Sequence, residues 1–128
     1  MTAQDSAGQR HAPGTAVLLS ISNDMVTLYK ELFGRGPTRA RTYWCSPDLI
    51  VIVLEDSFTP AERNMQQMGE HARLRDTRMF FQYSNKEQMC EPIERHTGRR
   101  VRSFVSGVDT IMDVHTELYL LHPETEPA

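Results

Sequence analysis

The feature that most constrains the fold is an uninterrupted apolar run, Leu49 to Leu54, which reads Leu-Ile-Val-Ile-Val-Leu. Its β-branched residues favour a strand over a helix. A strand without a polar face is usually buried on both sides, so we predict a central position in a sheet. The run is far shorter than the ~20 apolar residues that a membrane helix needs.

The run forms the second half of a predicted β-hairpin. Ala40 to Cys45 and Leu49 to Glu55 carry strand-forming residues, and the link from Ser46 to Asp48 has turn chemistry. Before the hairpin, Ala16 to Phe33 has apolar residues at alternating spacings of three and four, which predicts an amphipathic helix. Gly34 follows this helix, at the position where a left-handed turn favours glycine.

Helices are predicted to follow the hairpin. The segment from Thr59 to Glu62 is typical of a capping box with proline at the first helical position, and a short helix should run from it to about Met68. A longer helix is predicted from about Arg73 to Thr97. Because proline lacks a backbone N–H, we expect a kink or break in it between Asn85 and Pro92.

Two more strands are predicted at Val101 to Val108 and Asp113 to Leu121. The element order is therefore α-β-β-α-α-β-β, and we predict an α+β fold with a four-stranded, largely antiparallel sheet and helices mainly on one face. One layer of helices leaves the other face of the sheet partly apolar. For this reason we also expect a homodimer or a larger homo-oligomer.

Length and composition limit the class of protein. The 128 residues fit one domain, predicted at 16–122, with disordered tails at 1–15 and 123–128. The N-terminal stretch lacks the apolar segment of a secretory signal, and the two cysteines, Cys45 and Cys90, suit a reducing compartment. We therefore expect a cytoplasmic protein. A net charge of −3 argues against a general nucleic-acid binder.

The first half of the chain carries a long motif that comprises Ser22 to Val26, Tyr29 to Arg41, Leu54 to Asp56 and Thr59 to Arg63, and a related segment spans Phe104 to Asp109. This motif resembles that of the MpsC family. The family takes its name from association with a bacterial sodium-translocating, membrane-potential-generating system, whose other components look like membrane inorganic-carbon transport proteins. The resemblance implies a peripheral component at the inner face of the membrane. It supplies no agreed catalytic residues.

The segment from Gly34 to Arg41 is the candidate binding site. Its glycines allow close backbone approach, and its arginines and hydroxyl are donors to an anion. The candidate residues are Gly34, Arg35, Gly36, Thr38, Arg39 and Arg41. The structural alternative is a glycine-terminated helix, a proline turn and edge-strand arginines that face water. A second basic run, Arg99 to Arg102, would join this cluster if the two hairpins were neighbours.

No residues show a recognised catalytic or metal-binding spacing, so we expect no metal and no cofactor. Ser106, Asp109 and His115 lack the nucleophile elbow of a hydrolase. Glu55 and Asp56 are adjacent and would point to opposite faces of a strand. We therefore predict a non-enzymatic accessory or regulatory protein of a membrane ion or inorganic-carbon transport system. The alternative is a small-anion or nucleotide-binding module that uses the segment described above.

Overall fold

The computed structural model describes residues 14–123, which form four helices and one four-stranded sheet. The elements in chain order are α1 (Thr15–Phe33), β1 (Arg39–Ser46), β2 (Leu49–Glu55), α2 (Pro60–Gln67), α3 (His71–Ser84), α4 (Lys86–Thr97), β3 (Val101–Asp109) and β4 (Val114–Leu121). Most of the two predicted tails, residues 1–13 and 124–128, lies outside the described residues.

The sheet is antiparallel throughout, with the strand order β1-β2-β4-β3. The predicted α+β class and both hairpins are confirmed, with helices mainly on one face of the sheet. The order gains one helix, α-β-β-α-α-α-β-β, because the predicted long helix is two separate helices. As predicted, β2 is central, and it pairs with β1 on one side and β4 on the other.

Only one face of β2 is fully buried, so the prediction of burial on both sides is wrong. Ile50, Ile52 and Leu54 lie beneath the helices with no exposed surface. The alternate residues Val51 and Val53 are partly exposed. The reason is the layer arrangement: the helices lie mainly on one side and leave the other side of the sheet open.

The long helical region divides at Asn85, the first residue of the interval in which a break is predicted. Asn85 has non-helical dihedrals of φ −111° and ψ 33° and separates α3 from α4. Its side-chain amide and its backbone N–H both donate to the carbonyl of Phe81, at 2.7 and 3.1 Å. The backbone bond is a regular helical bond, whereas the side-chain bond to the same carbonyl competes with helix continuation. Pro92 is buried inside α4 and does not end it.

The predicted helix caps are present. Gly34 ends α1 in a left-handed conformation with φ 83°. At the start of α2, Thr59 Oγ1 accepts from the Glu62 N–H at 3.2 Å, and the Glu62 carboxylate accepts from the Thr59 N–H at 2.9 Å. The apolar core lies between the sheet and helices α1 and α4. It includes Ile21, Met25, Leu28, Ile50, Ile52, Leu54, Met89, Ile93, Phe104, Tyr119 and Leu121.

Candidate functional site

The predicted anion-binding segment lies at one end of the sheet, where Asp56 engages two of its donors. Asp56 Oδ2 is 3.2 Å from Arg35 Nη2 and accepts from Thr38 Oγ1 at 3.0 Å, while Arg63 binds the other oxygen. Arg35 also donates to the carbonyl of Phe58 at 2.8 Å. Burial acts to raise the pKa of Asp56, but the bonds from Thr38 and Arg35 outweigh it, so this pKa lies below its ordinary value.

The other residues of the segment are not part of this group. Gly36 packs against α1, and a Cβ atom there would come within 3.0 Å of a backbone oxygen of the helix. Arg39 and Arg41 lie on the face of β1 away from the helices, and Arg39 Nε is 3.9 Å from the Glu55 carboxylate. The segment is therefore divided between two places, an arrangement that favours the structural alternative.

The second basic run lies at the opposite end of the sheet from the first. Arg99 binds the carboxylate of Asp48 at 2.5 Å and the carbonyl of Pro47 at 2.6 Å, which ties the start of β3 to the β1–β2 turn. Since β1 begins at the other end, the two basic segments do not form one cluster.

Buried polar side chains form a different group, between the sheet and the helices α1 and α3. We call this group the buried polar cluster, and its members are Tyr29, Ser57, Glu62, Arg78, Gln82, Ser106, His115 and Glu117. Arg78 and Gln82 are one helical turn apart on α3, and His115 and Glu117 alternate on the covered face of β4. All four of these side chains have no exposed surface.

Arg78 and Glu62 form the ion pair of the cluster. The guanidinium donates to both carboxylate oxygens at 2.7 Å and to the carbonyl of Ser57 at 2.9 Å. Its central carbon lies 3.7 Å from the ring centre of Phe33. Bidentate pairing and aromatic stacking together suit a buried arginine. Because Glu62 also caps α2, one carboxylate links the start of that helix to the interior of the domain.

Glu117 is the buried acid on β4. One of its oxygens accepts hydrogen bonds from the hydroxyl of Tyr29 and from the amide of Gln82, the latter at 2.8 Å. The amide oxygen of Gln82 accepts from the Ser106 hydroxyl. Burial raises the pKa of Glu117 to about 8, so the carboxyl group is mostly protonated at neutral pH.

His115 lies beside Glu117 in an aromatic environment. Its ring packs edge-on against Tyr29 and Phe58, with centroid distances of 5.6 Å to each, and its Nδ1 is 3.4 Å from Ser57 Oγ. Burial, together with the positive charge of Arg78, lowers the pKa of His115 to about 3. The imidazole is therefore neutral at physiological pH, and the cluster then holds one formal ion pair.

Three atoms of the cluster have no hydrogen-bond partner among residues 14–123: Nη1 of Arg78, Nε2 of His115 and Oε1 of Glu117. Unpaired buried polar atoms cost free energy. Together with shifted pKa values, they are more frequent at functional sites than elsewhere. The cluster is therefore the best candidate site in chemical terms, although its side chains are buried apart from that of Glu62, which is 14% exposed.

Sequence reasoning missed this cluster. The signal available was the i, i+4 spacing of Arg78 and Gln82 and the i, i+2 spacing of His115 and Glu117, but each pair also suits a solvated face. The weighed combination of Ser106 with His115 and Asp109 is not formed. Ser106 Oγ donates to Gln82, and the Asp109 carboxylate accepts from two backbone N–H groups of the β3–β4 turn.

A shallow groove of about 270 Å³ lies between α1 and α4. Its rim is crossed by ion pairs: Arg95 lies 2.8 Å from both Asp24 and Glu91, and His96 Nε2 lies 2.7 Å from Asp24. The contacts of Arg95 and His96 with Asp24 fasten the two helices together, so these charged groups are already paired.

Among the helices of residues 14–123, none has the length and apolar character required to cross a bilayer. Over the same residues, no three His, Cys, Asp or Glu side chains are arranged to hold a metal ion.

Fold and cluster together define a small α+β domain with helices mainly on one face of its sheet and a largely buried polar cluster beneath them. The family model described as "Na+-translocating membrane potential-generating system (MpsC)" matches residues 16–122, which is most of the chain. The chain therefore belongs to the MpsC family. No curated protein and no solved structure shows significant similarity to it.

Proposed function

We propose that this protein is a non-enzymatic accessory or regulatory component of a membrane ion or inorganic-carbon transport system, and that it acts on the cytoplasmic side by binding a protein partner. The family description supports the association with a Na+-translocating system. The observation that carries the non-enzymatic part is the complete burial of Arg78, His115 and Glu117. A catalytic group has to reach its substrate, and these groups do not reach the surface.

Exposed apolar side chains at one end of the domain supply a surface for such a partner. Ile111 and Met112, in the β3–β4 turn, are 70% and 68% exposed, and Met68, just after α2, is 73% exposed. The amide of Gln66 donates to the carbonyls of Thr110 and Ile111, at 2.7 and 2.9 Å, which holds the end of α2 against the turn. We call Met68, Ile111 and Met112 the hairpin-tip surface.

The turn that presents this surface is held in one conformation. The Asp109 carboxylate accepts from the N–H groups of Ile111 and Met112 at 3.0 and 3.1 Å, and His71 Nδ1 lies 2.8 Å from Thr110 Oγ1. A preordered apolar surface loses little conformational entropy on binding. Exposed apolar groups of this kind mark interaction sites, and methionine adapts to varied partners.

Chemical crosslinking in native membranes tests the proposal. The full chain, carrying a tag, should crosslink to components of a membrane transport system. The double variant Ile111→Glu plus Met112→Glu should reduce those crosslinks about ten-fold, since truncated or charged anchor residues dominate binding losses. Leu19→Glu is the matched control, because Leu19 is 59% exposed but lies on α1.

Two outcomes would contradict the proposal. One is a wild-type chain that crosslinks to no membrane transport protein. The other is a hairpin-tip variant that keeps all of its crosslinks while the control behaves identically.

A further inference from the structure

The face of the sheet away from the helices, which we call the open face, carries side chains in rows that run across the strands. The register aligns four rows: Arg39, Glu55, Val114 and Asp109; Arg41, Val53, Thr116 and Gly107; Tyr43, Val51, Leu118 and Val105; and Leu49, Leu120 and Ser103. Charges are concentrated in the first row and aliphatic side chains in the third and fourth. Tyr43 and Val105, at the edges of the third row, are 44% and 50% exposed.

The open face has the size of a protein interface. Strands lie about 4.8 Å apart and alternate residues about 6.8 Å apart, so the four rows cover about 500 Å² in projection. Specific interfaces begin at about 600 Å² of accessible surface per partner, and side-chain relief makes accessible area larger than projected area. The third and fourth rows form a continuous aliphatic patch that the more polar first and second rows border, and apolar patches with a polar rim mark interaction sites.

We propose that the open face docks against the open face of a second copy of this chain, with a two-fold axis close to the strand direction. Two sheets packed face to face with nearly aligned strands, about 10 Å apart, form a common and stable arrangement. In this dimer, β1 lies over β3 of the second copy, and β2 lies over β4. The apolar pairs that then face each other are Tyr43 with Val105, Val51 with Leu118, and Leu49 with Leu120.

The charges of the first row favour this orientation. Arg39 and Asp109 stand at opposite edges of the sheet in the same row, so the two-fold axis brings each Arg39 over Asp109 of the other copy. Arg41 lies over Gly107, which presents no side chain and is open on that side, since a Cβ atom there would meet nothing within 4 Å. The bulky side chain of Arg41 thus faces Gly107 of the other copy, the one residue in that row without a side chain.

The other two-fold arrangement is disfavoured. An axis across the strands would stack the charged row on the row of Leu49 and bury charges against aliphatic side chains. Charge complementarity therefore selects a second copy as the occupant and one orientation for it.

Sedimentation equilibrium of the full chain tests the inference, with a dimer expected at micromolar concentration. Val105→Glu and Tyr43→Lys each bury an unpaired charge in the interface and should each weaken the dimer roughly 100-fold. The double variant should recover most of the affinity, because position 43 of one copy faces position 105 of the other twice. No rescue can arise within one chain, since these positions lie on opposite edge strands.

Both substituted positions are partly exposed in the single chain, so the variants should fold, and circular dichroism checks this. Substitution at the hairpin tip, Ile111→Glu plus Met112→Glu, should leave the dimer mass unchanged, which separates this inference from the proposed function. A monomeric wild-type chain, single variants that keep the dimer mass, or a double variant that stays monomeric would each overturn the inference.

Discussion

The two faces of strand β4 differ from the usual distribution of polar and apolar residues, although the covered face of the sheet as a whole carries the apolar core. The covered face of β4 carries His115 and Glu117 beneath the helices, whereas its other face carries Val114 and Leu118 toward the outside. An antiparallel sheet with one solvated face normally shows apolar residues inside and polar residues outside. Burial in this domain is therefore not set by hydrophobicity alone. Hydrogen bonds offset the cost of burying polar groups on the covered face. The aliphatic residues of the open face favour contact with another protein surface.

This comparison explains how β4 keeps its register. A slip by one residue exchanges the two faces of a strand, and hydrophobicity opposes such a slip only when the faces differ clearly. In β4 both faces carry large apolar residues. The bonds of Glu117 to Tyr29 and Gln82 exist in one register only. We infer that the buried polar cluster specifies the pairing of β4 more than it adds to stability.

The largest effect on stability is expected from breaking the ion pair between Arg78 and Glu62, which belongs to the buried polar cluster. Arg78→Met leaves the Glu62 carboxylate partly buried without its counter-ion and should lower the free energy of unfolding by about 3 kcal/mol. Urea denaturation measures the loss. Arg75→Met on the same helix is the control, because Arg75 is exposed and should stay within about 0.5 kcal/mol of the wild type. Similar values for both variants would show that the guanidinium is dispensable.

Threonine introduced at neighbouring positions of β2 compares the two faces. Ile52→Thr places a hydroxyl and a cavity in the core and should cost about 2 to 3 kcal/mol. Val53→Thr, on the open face, should cost about 0.5 kcal/mol or less, since the new hydroxyl remains hydrated. Both are measured by urea denaturation at a concentration where the chain is monomeric. Equal losses would mean that the open face is covered within the single chain.

The pH dependence of stability should show opposite contributions from two neighbours on β4. The pKa of Glu117 is raised from 4.5 to about 8, so the unfolded chain loses this proton first and stability falls as the pH rises through that range. The pKa of His115 is lowered from 6.5 to about 3, so stability falls as the pH drops through that range. From these two groups, stability is greatest between pH 4.5 and 6.5.

Glu117→Gln separates the two contributions, because it keeps a hydrogen-bond acceptor and removes the titrating group. The wild type should lose about 2 kcal/mol between pH 6.5 and 8 through Glu117, and the variant should lose none of it. Thermal unfolding across pH values measures the difference. Parallel pH profiles for the two proteins would exclude Glu117 as the cause.

The smallest effect, on the melting temperature, is expected from adding anions that could bind at the charged end of the sheet. Phosphate, sulfate, bicarbonate or nucleotides should leave the melting temperature unchanged, because Asp56 already engages Arg35 and Thr38. Binding would instead add about 2.7 kcal/mol at a hundredfold excess over the dissociation constant. A shift that disappears in Arg35→Ala plus Arg39→Ala would favour the anion-binding alternative.

Local interactions were predictable from the sequence because their partners lie a few residues apart. The capping box at Thr59, the left-handed turn at Gly34 and the break near Asn85 each depend on one short segment. The apolar run of β2 likewise determined its central place. The α+β class follows from the order of such segments.

The tertiary structure alone decided which face of each strand is covered and which side chains meet there. Tyr29 and Glu117 are 88 residues apart in the chain, and Arg78 is 16 residues from Glu62. A period of two residues places Leu118 and Leu120 on the same face, but it does not say which face the helices cover. That choice depends on packing the whole helical layer, so the sequence by itself determined the elements and the fold decided their burial.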